Sequence, residues 1–205
     1  MASRTAAAPA RTRRSCVPEL HLPRHSVALL AWLQIAAWPA HALNPVTLEA
    51  TVAGGVYRVK FDAVVDAPID RVASVLVDFV GYAALDPRIR SSEVVGSAAD
   101  GAPLLKTRIR ACAAFFCRDI RRVEHVALGD GVLVATALPG KSDVRSSVAR
   151  TEWRAEGGRT RIRYEAEFVP DFWVPALVSR RYAAPMLRES VLQLFRNVEE
   201  RAREP

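Results

Sequence analysis

The last stretch of the chain most constrains what it can fold into. From Ala176 to Arg203 there is no glycine, and Pro185 is the only breaker. Leu187, Val191, Phe195, Val198 and Ala202 recur at spacings of four and three, which is one face of an α-helix. Arg188, Glu189, Arg196, Glu199, Glu200 and Arg203 fall largely outside that stripe and read as solvated. Pro185 removes a backbone donor and crowds the turn before it, which predicts a kink or break near Ala184. A lone helix with an apolar stripe must bury it on another element. Everything between Val56 and Val169 reads as strands, so that element is an antiparallel sheet.

The N-terminus has a different character. Arg11, Arg13, Arg14 and Arg24 precede an apolar run from Val27 to Trp38, followed by Ala40-His41-Ala42. A basic segment, an apolar segment and an Ala-x-Ala site form the pattern of a secretory signal peptide. The apolar run is shorter than the roughly 20 residues of a bilayer span. The expected organisation is a signal peptide at 1–42, an N-terminal extension at 43–55 and one domain at 56–205. The product is then exported across the inner membrane, to the periplasm; the alternative is an anchor made by an uncleaved N-terminal segment. Removing the leader takes five arginines and one glutamate, leaving 24 basic and 21 acidic residues and a net charge of +3. A small excess of interspersed charge gives no reason to expect nucleic acid as a partner.

Seven strands are expected in the remainder. Val56 to Val65 alternates Tyr57, Val59, Phe61 and Ala63 with Arg58, Lys60 and Asp62, the pattern of a half-buried strand. Pro68 starts a short helix carrying Val72, Val75, Leu76 and Phe79, and Gly81 ends it before a second short helix or turn at Tyr82 to Pro87. Strands follow at Ile89 to Val95, Leu104 to Cys112, Cys117 to Val126, Val132 to Leu138, Val144 to Ala155 and Thr160 to Val169. The last is the cleanest, with Ile162, Tyr164, Ala166 and Phe168 opposite Arg161, Arg163, Glu165 and Glu167.

Without the leader only Cys112, Cys117 and His125 remain of the cysteines and histidines. The two cysteines bracket Ala113-Ala114-Phe115-Phe116. If that tetrapeptide is a hairpin loop, they face each other at its base, within easy adjustment of a disulfide. An oxidising compartment favours the bridge, and two thiols with no neighbouring histidine leave a zinc ion half-liganded, so no metal site is expected. Phe115-Phe116 at the tip either pack under the long helix or reach a membrane or the mouth of a cavity. His125 sits on a charged strand and reads as a surface residue; no nucleophile elbow is present. Alternation sends most strand arginines outward, with Arg110 and Arg145 the candidates to turn inward and hold an acidic head group. Asp86, just before Pro87, is the better-placed carboxylate. The expected apolar lining is Tyr57, Phe61, Val134, Tyr164 and Phe168, with Trp173 and Tyr182 at the helix entrance.

In that order of elements the sequence resembles the START-like superfamily, particularly its polyketide cyclase/dehydrase and lipid-transport branch. The residues that carry the resemblance are Ala67-Pro68-Ile69-Asp70-Arg71-Val72, then Val75-Leu76-Val77-Asp78-Phe79 with Tyr82 and Pro87, and the Tyr164 strand leading to Pro175 and the closing helix. Leu85-Asp86-Pro87 stands where many members have a Trp-x-Pro. The resemblance implies an α+β helix-grip fold, a cavity between sheet and helix that includes Tyr82, and a lipid or other hydrophobic small molecule as partner, without a cofactor. It supplies no catalytic motif. Two further expectations stay open: a cyclase, aromatase or dehydrase with an inward polar cluster such as Asp86 with Arg110, and an interaction module whose core is filled.

Overall fold

Alternating apolar and charged residues give each strand one buried face, and pairing them in register merges those faces into one curved surface. The computed structural model describes residue 43 and residues 45–204, so the expected leader lies outside the described residues. Eight strands form one antiparallel sheet in the order β1-β2-β8-β7-β6-β5-β4-β3. They are β1 (Pro45–Ala53), β2 (Val56–Val65), β3 (Ile89–Ser97), β4 (Pro103–Ala113), β5 (Phe116–Gly129), β6 (Val132–Ala137), β7 (Val144–Glu156) and β8 (Arg159–Pro170). The two edge strands are irregular: the pairing register slips between Pro45 and Thr47 on β1, and at Ile89/Ser91 and Val94/Gly96 on β3.

The count corrects the expectation of seven. β1 lies within the stretch read as an N-terminal extension and pairs with β2 along its length. Leu48, Ala50 and Val52 do alternate there, and Gly54 and Gly55, at φ 58° and 79°, make the two-residue turn into β2. Being an edge strand, β1 buries only Ala50 fully, so its pattern is diluted by exposed Val46, Glu49 and Thr51.

Between β2 and β3 lie α1 (Ile69–Val77) and α2 (Tyr82–Leu85). The Val72 N–H donates to the Pro68 carbonyl at 3.1 Å, so Pro68 opens the first turn as its fixed φ favours. α1 buries Val72 and Leu76. The chain enters the final helix at residues 176–177, widens into a π-helical turn at Val178–Tyr182, and continues as α3 (Ala183–Arg203). The expected distortion near Ala184 takes this form. Pro185 has no N–H for the Arg181 carbonyl and would crowd it, and the widened turn, with the Ala183 N–H donating to the Val178 carbonyl, relieves that crowding.

Leu187, Val191, Phe195, Val198 and Ala202 are all buried, as the stripe requires. Phe195 stacks on Phe61 of β2 with centroids 4.5 Å apart and planes 7° apart. Glu199, expected to be solvated, is buried instead. Its Oε1 accepts from the Asp66 backbone N–H at 2.9 Å and from Arg203 Nη2 at 2.8 Å. It therefore clamps the end of α3 to the β2–α1 turn. Replacing Glu199 with Ala strands a buried N–H and should cost about 2 kcal/mol in denaturant unfolding, whereas Glu200→Ala on the exposed face should leave the midpoint unchanged.

Candidate functional site

The helix covers only part of the concave face. Val59, Phe61, Ala63 and Val65 of β2 and Ile162 of β8 are buried, and α3 packs chiefly on β1 and β2. Further along the same face, Tyr164, Ala166 and Phe168 of β8, Ala149 of β7 and Ile109 of β4 keep partial solvent exposure. Side chains on this part of the sheet are small. Ala166, Ala149, Ala135 and Val126 are successive register partners across β8, β7, β6 and β5. Small residues in this row put little side-chain bulk beneath a helix that has already seated on the other half of the sheet.

The far side of this face is polar. Ile120 and Val126 fix the inward parity of β5, and Arg122 and Glu124 share it. Arg122 pairs across the strand with Thr107 of β4, which is buried. Arg122 Nη2 lies 3.3 Å from Glu124 Oε2, and the Glu124 side chain is only 2% exposed. Among the described residues Arg122 Nε, Glu124 Oε1 and Thr107 Oγ1 are buried and make no hydrogen bond. A donor, an acceptor and a hydroxyl thus converge inside the helix–sheet layer with unused capacity, which costs stability unless a polar group meets them.

Two tyrosines face the same charges. Burial pushes the Tyr164 phenol above its ordinary value; Arg122 pulls it down and Glu124 raises it again. Its ring meets Phe195 edge-on at 5.5 Å. Tyr82 is raised as well, first by burial and then by Glu124, Tyr164 and Asp78, and its hydroxyl donates to the Leu76 carbonyl at 2.6 Å. Both stay neutral well into alkaline pH. At the other end of the open face Tyr57 stacks on Phe168 at 4.9 Å and bonds Ser179 Oγ at 3.3 Å, tying the π-helical turn to the sheet.

Of the residues expected at the site, the inner face therefore gathers Tyr57, Phe61, Tyr164 and Phe168, with Tyr82 beside them. Others lie elsewhere. Arg110 is on the outer parity of β4 and pairs with Asp119 at 3.2 Å. Arg145 bonds the Pro170 carbonyl at 3.2 Å with its side chain mostly exposed. Val134 has the parity opposite to Leu133 and Ala135, which are in the core. Trp173 is 75% exposed. Tyr182 is half-buried at the end of the π-helical turn. Asp86 is buried but committed: Arg88 Nε donates to its Oδ1 at 2.9 Å, and the same guanidinium reaches the Ser190 carbonyl at 2.7 Å. It fastens α2 to α3 rather than facing a ligand alone. Arg122, Glu124 and Thr107 are the polar residues that sequence reasoning missed.

Cys112 and Cys117 are register partners with sulfurs 2.11 Å apart. The tip between their strands is tighter than the expected tetrapeptide: Ala113 pairs with Phe116, leaving Ala114, at φ 52°, and Phe115 as the turn. His125 bonds Asp100 Oδ2 at 2.8 Å through Nε2, on the outer side. Among the described residues no group of His, Cys, Asp or Glu is placed to hold a metal ion. A polar cleft of about 640 Å³ lies outside the helix–sheet layer, between α1, α2 and the end of α3, walled by Arg71, Asp78, Asn197 and Arg201.

The raised tyrosines give a pH signature. A phenol that is neutral when folded and ionises near pH 10 when unfolded favours the native state fully below that value. The advantage is lost as pH climbs through the higher folded value. Ultraviolet titration of Tyr164→Phe and Tyr82→Phe should each lack an absorbance step that the parent shows above pH 10, and Tyr164→Phe should lose less stability between neutral and strongly alkaline pH.

A family model for polyketide cyclase/dehydrase and lipid transport proteins matches residues 57–202. The sequence matches none of the curated proteins. Solved structures share the fold at low identity. A START superfamily protein from Mycobacterium smegmatis is 16% identical, covering 71% of this chain and 96% of its own, with a TM-score of 0.57. A STAR-related lipid transfer protein fragment from Xanthomonas axonopodis is 14% identical, covering 80% and 99%, with a TM-score of 0.56. The Zhui aromatase/cyclase from a Streptomyces species is 21% identical, covering 72% and 94%, with a TM-score of 0.53. With one sheet wrapped about one closing helix and a family match across nearly all of it, the chain belongs to the polyketide cyclase/dehydrase and lipid transport family.

Proposed function

We propose that this chain is an exported carrier that holds a hydrophobic small molecule or lipid between sheet and helix and releases it unchanged. The observation that carries the reading is the partly uncovered inner face, which carries Ala166 and Phe168 of β8 and Ala149 of β7 and ends in Thr107, Arg122 and Glu124. Such a space takes a molecule with an apolar body and one polar end that accepts from Arg122 and donates to Glu124, such as a hydroxyl or a hydroxy-carbonyl group. Tyr57, Phe168 and the π-helical turn stand across the sheet from that cluster, on β2 and β8, and border the way in.

The same inward cluster supports a second reading, a cyclase or dehydrase that folds a reactive chain against it. In that case the molecule released differs from the one taken up. Native mass spectrometry of the purified chain should find an apolar, oxygen-bearing molecule, and a lipid and quinone panel should bind and be recovered unaltered. A chemically altered product would establish the enzyme instead, and an empty chain that takes up none of the panel would defeat both readings. The double variant Arg122→Met/Glu124→Leu replaces the buried pair with apolar volume, so it should fold as stably as the parent. It should lose about ten-fold in affinity for hydroxylated ligands while keeping simple hydrocarbons.

Export and the Cys112–Cys117 bridge belong to the same proposal. The N-terminal pattern sends the chain to an oxidising compartment, and the paired sulfurs fit it. Intact-mass analysis of the exported product, alkylated without reductant, should give a chain that begins at Leu43 and takes up no label. An intact Met1 would reject cleavage, and two labelled thiols would reject the bridge.

A further inference from the structure

The end of the molecule that holds the entrance also carries the most exposed aromatic side chains among the described residues. The Asp143 N–H donates to the Arg121 carbonyl and the Asp171 N–H to the Asp143 carbonyl, which aligns the end of β8 with Arg121. On the other side β3 reaches the level of Asp119 through Arg88 and Arg110, so residues 115–118 of the β4–β5 hairpin project beyond the sheet by about 13 Å, at roughly 3.3 Å per residue. Phe115 at its tip is 74% exposed. Arg118, on the same overhang, lies 4.6 Å above the Phe172 ring, so the loop after β8 runs alongside it. The next residue, Trp173, is 75% exposed, and Leu177, four further on, is 56% exposed. Arg180 and Arg181 follow at three and four residues from Leu177 and are exposed as well.

The charges here are one-sided. Asp119 is paired with Arg110 at 3.2 Å, and Asp171 sits 3.8 Å from Arg145. Arg118, Arg180 and Arg181 have no carboxylate partner among the described residues. Apolar tips that stand out from a basic collar do not form the flat, complementary patch of a protein interface. They suit a fluid anionic layer, which needs no matching shape: aromatic rings enter the headgroup region while arginines remain among the phosphates.

The geometry points to a membrane-docking rim in which Phe115, Trp173 and Leu177 insert into an anionic bilayer and Arg118, Arg180 and Arg181 lie against its headgroups. The rim adjoins Tyr57, Phe168 and Ser179, so docking turns the entrance toward the lipid. It does not rest on what fills the cavity.

The test uses the exported product that begins at Leu43, whose tryptophans are buried Trp153 and exposed Trp173. Vesicles of phosphatidylcholine with about 30 mol% phosphatidylglycerol, with and without brominated acyl chains, are compared with phosphatidylcholine alone. Anionic vesicles should shift the emission to the blue and brominated chains should quench it, both less so in high salt, and Trp173→Phe should abolish the response. Phe115→Ser should weaken partitioning at least about ten-fold, and Arg180→Ser or Arg181→Ser about five-fold each. An emission indifferent to vesicles, an equal response to neutral vesicles, or variants that partition like the parent would overturn the rim. Self-association without vesicles that Phe115→Ser or Trp173→Ser abolishes would overturn it in favour of a second copy of the chain. Uptake of a fluorescent lipid from detergent solution should be the same in the rim variants as in the parent, which separates this result from the fate of the carrier reading.

Discussion

One mismatch of widths governs this molecule. Eight strands at about 4.8 Å spacing make a sheet roughly 35 Å across, while an α-helix with its side chains is about 10–12 Å thick. A single helix can close two or three strands and no more. The stacking of Phe195 on Phe61 decides which ones, seating α3 toward β1 and β2. The Glu199 clamp at the end of α3 and the Arg88 bridge from Asp86 to the Ser190 carbonyl then hold it against sliding along the sheet. What lies under the remaining strands is a consequence of that placement, and the run of alanines across β8, β7 and β6 puts little side-chain bulk on the sheet there.

Most of this layout was legible in the sequence because both periodicities are clean where burial is one-sided. β2 and β8 alternate without a break, and the α3 stripe repeats without a miss. Two elements escaped for physical reasons. β1 lies at an edge and buries one residue fully, so hydrophobicity along it carries little contrast. β5 misled more consequentially. Val123 is buried on the outer side, where Ser142 and the loop after β6 cover it, and it draws the eye to the wrong parity. Ile120 and Val126 carried the right one, and read together they place Arg122 and Glu124 inside. Arg110 failed as an inward candidate because its strand parity was already fixed by Leu105, and Arg145, though it shares the parity of buried Ser147 and Thr151, sits where the register slips between Val144 and Ser146 and its side chain stays outside.

The inward arginine and glutamate oppose what stability alone would favour. Burying an ion pair gains little over apolar side chains of equal volume, and leaving hydrogen-bonding capacity unused makes it worse. Yet the surrounding sheet supplies no partner for Arg122 Nε, Glu124 Oε1 or Thr107 Oγ1. Outside this spot polar groups are matched with care. Thr160 donates to the Ala67 carbonyl, Ser92 to the Phe79 carbonyl, and Asp62 receives both Arg161 and Arg163. Local frustration confined to one wall of an otherwise satisfied molecule is where recognition is expected.

An open sheet also leaves two raw margins, each a row of backbone donors and acceptors that another chain could extend. A closed barrel escapes that hazard; this architecture cannot, because its helix must enter from one side. The slipped registers at Pro45/Thr47, Ile89/Ser91 and Val94/Gly96 break both outer ladders at intervals. A ninth strand arriving beside β3 would find no even run longer than Ser91 to Val94 to zip onto, whereas β1 keeps an even row from Thr47 to Ala53. The broken border at β3 thus acts as a selvedge on that side of the weave.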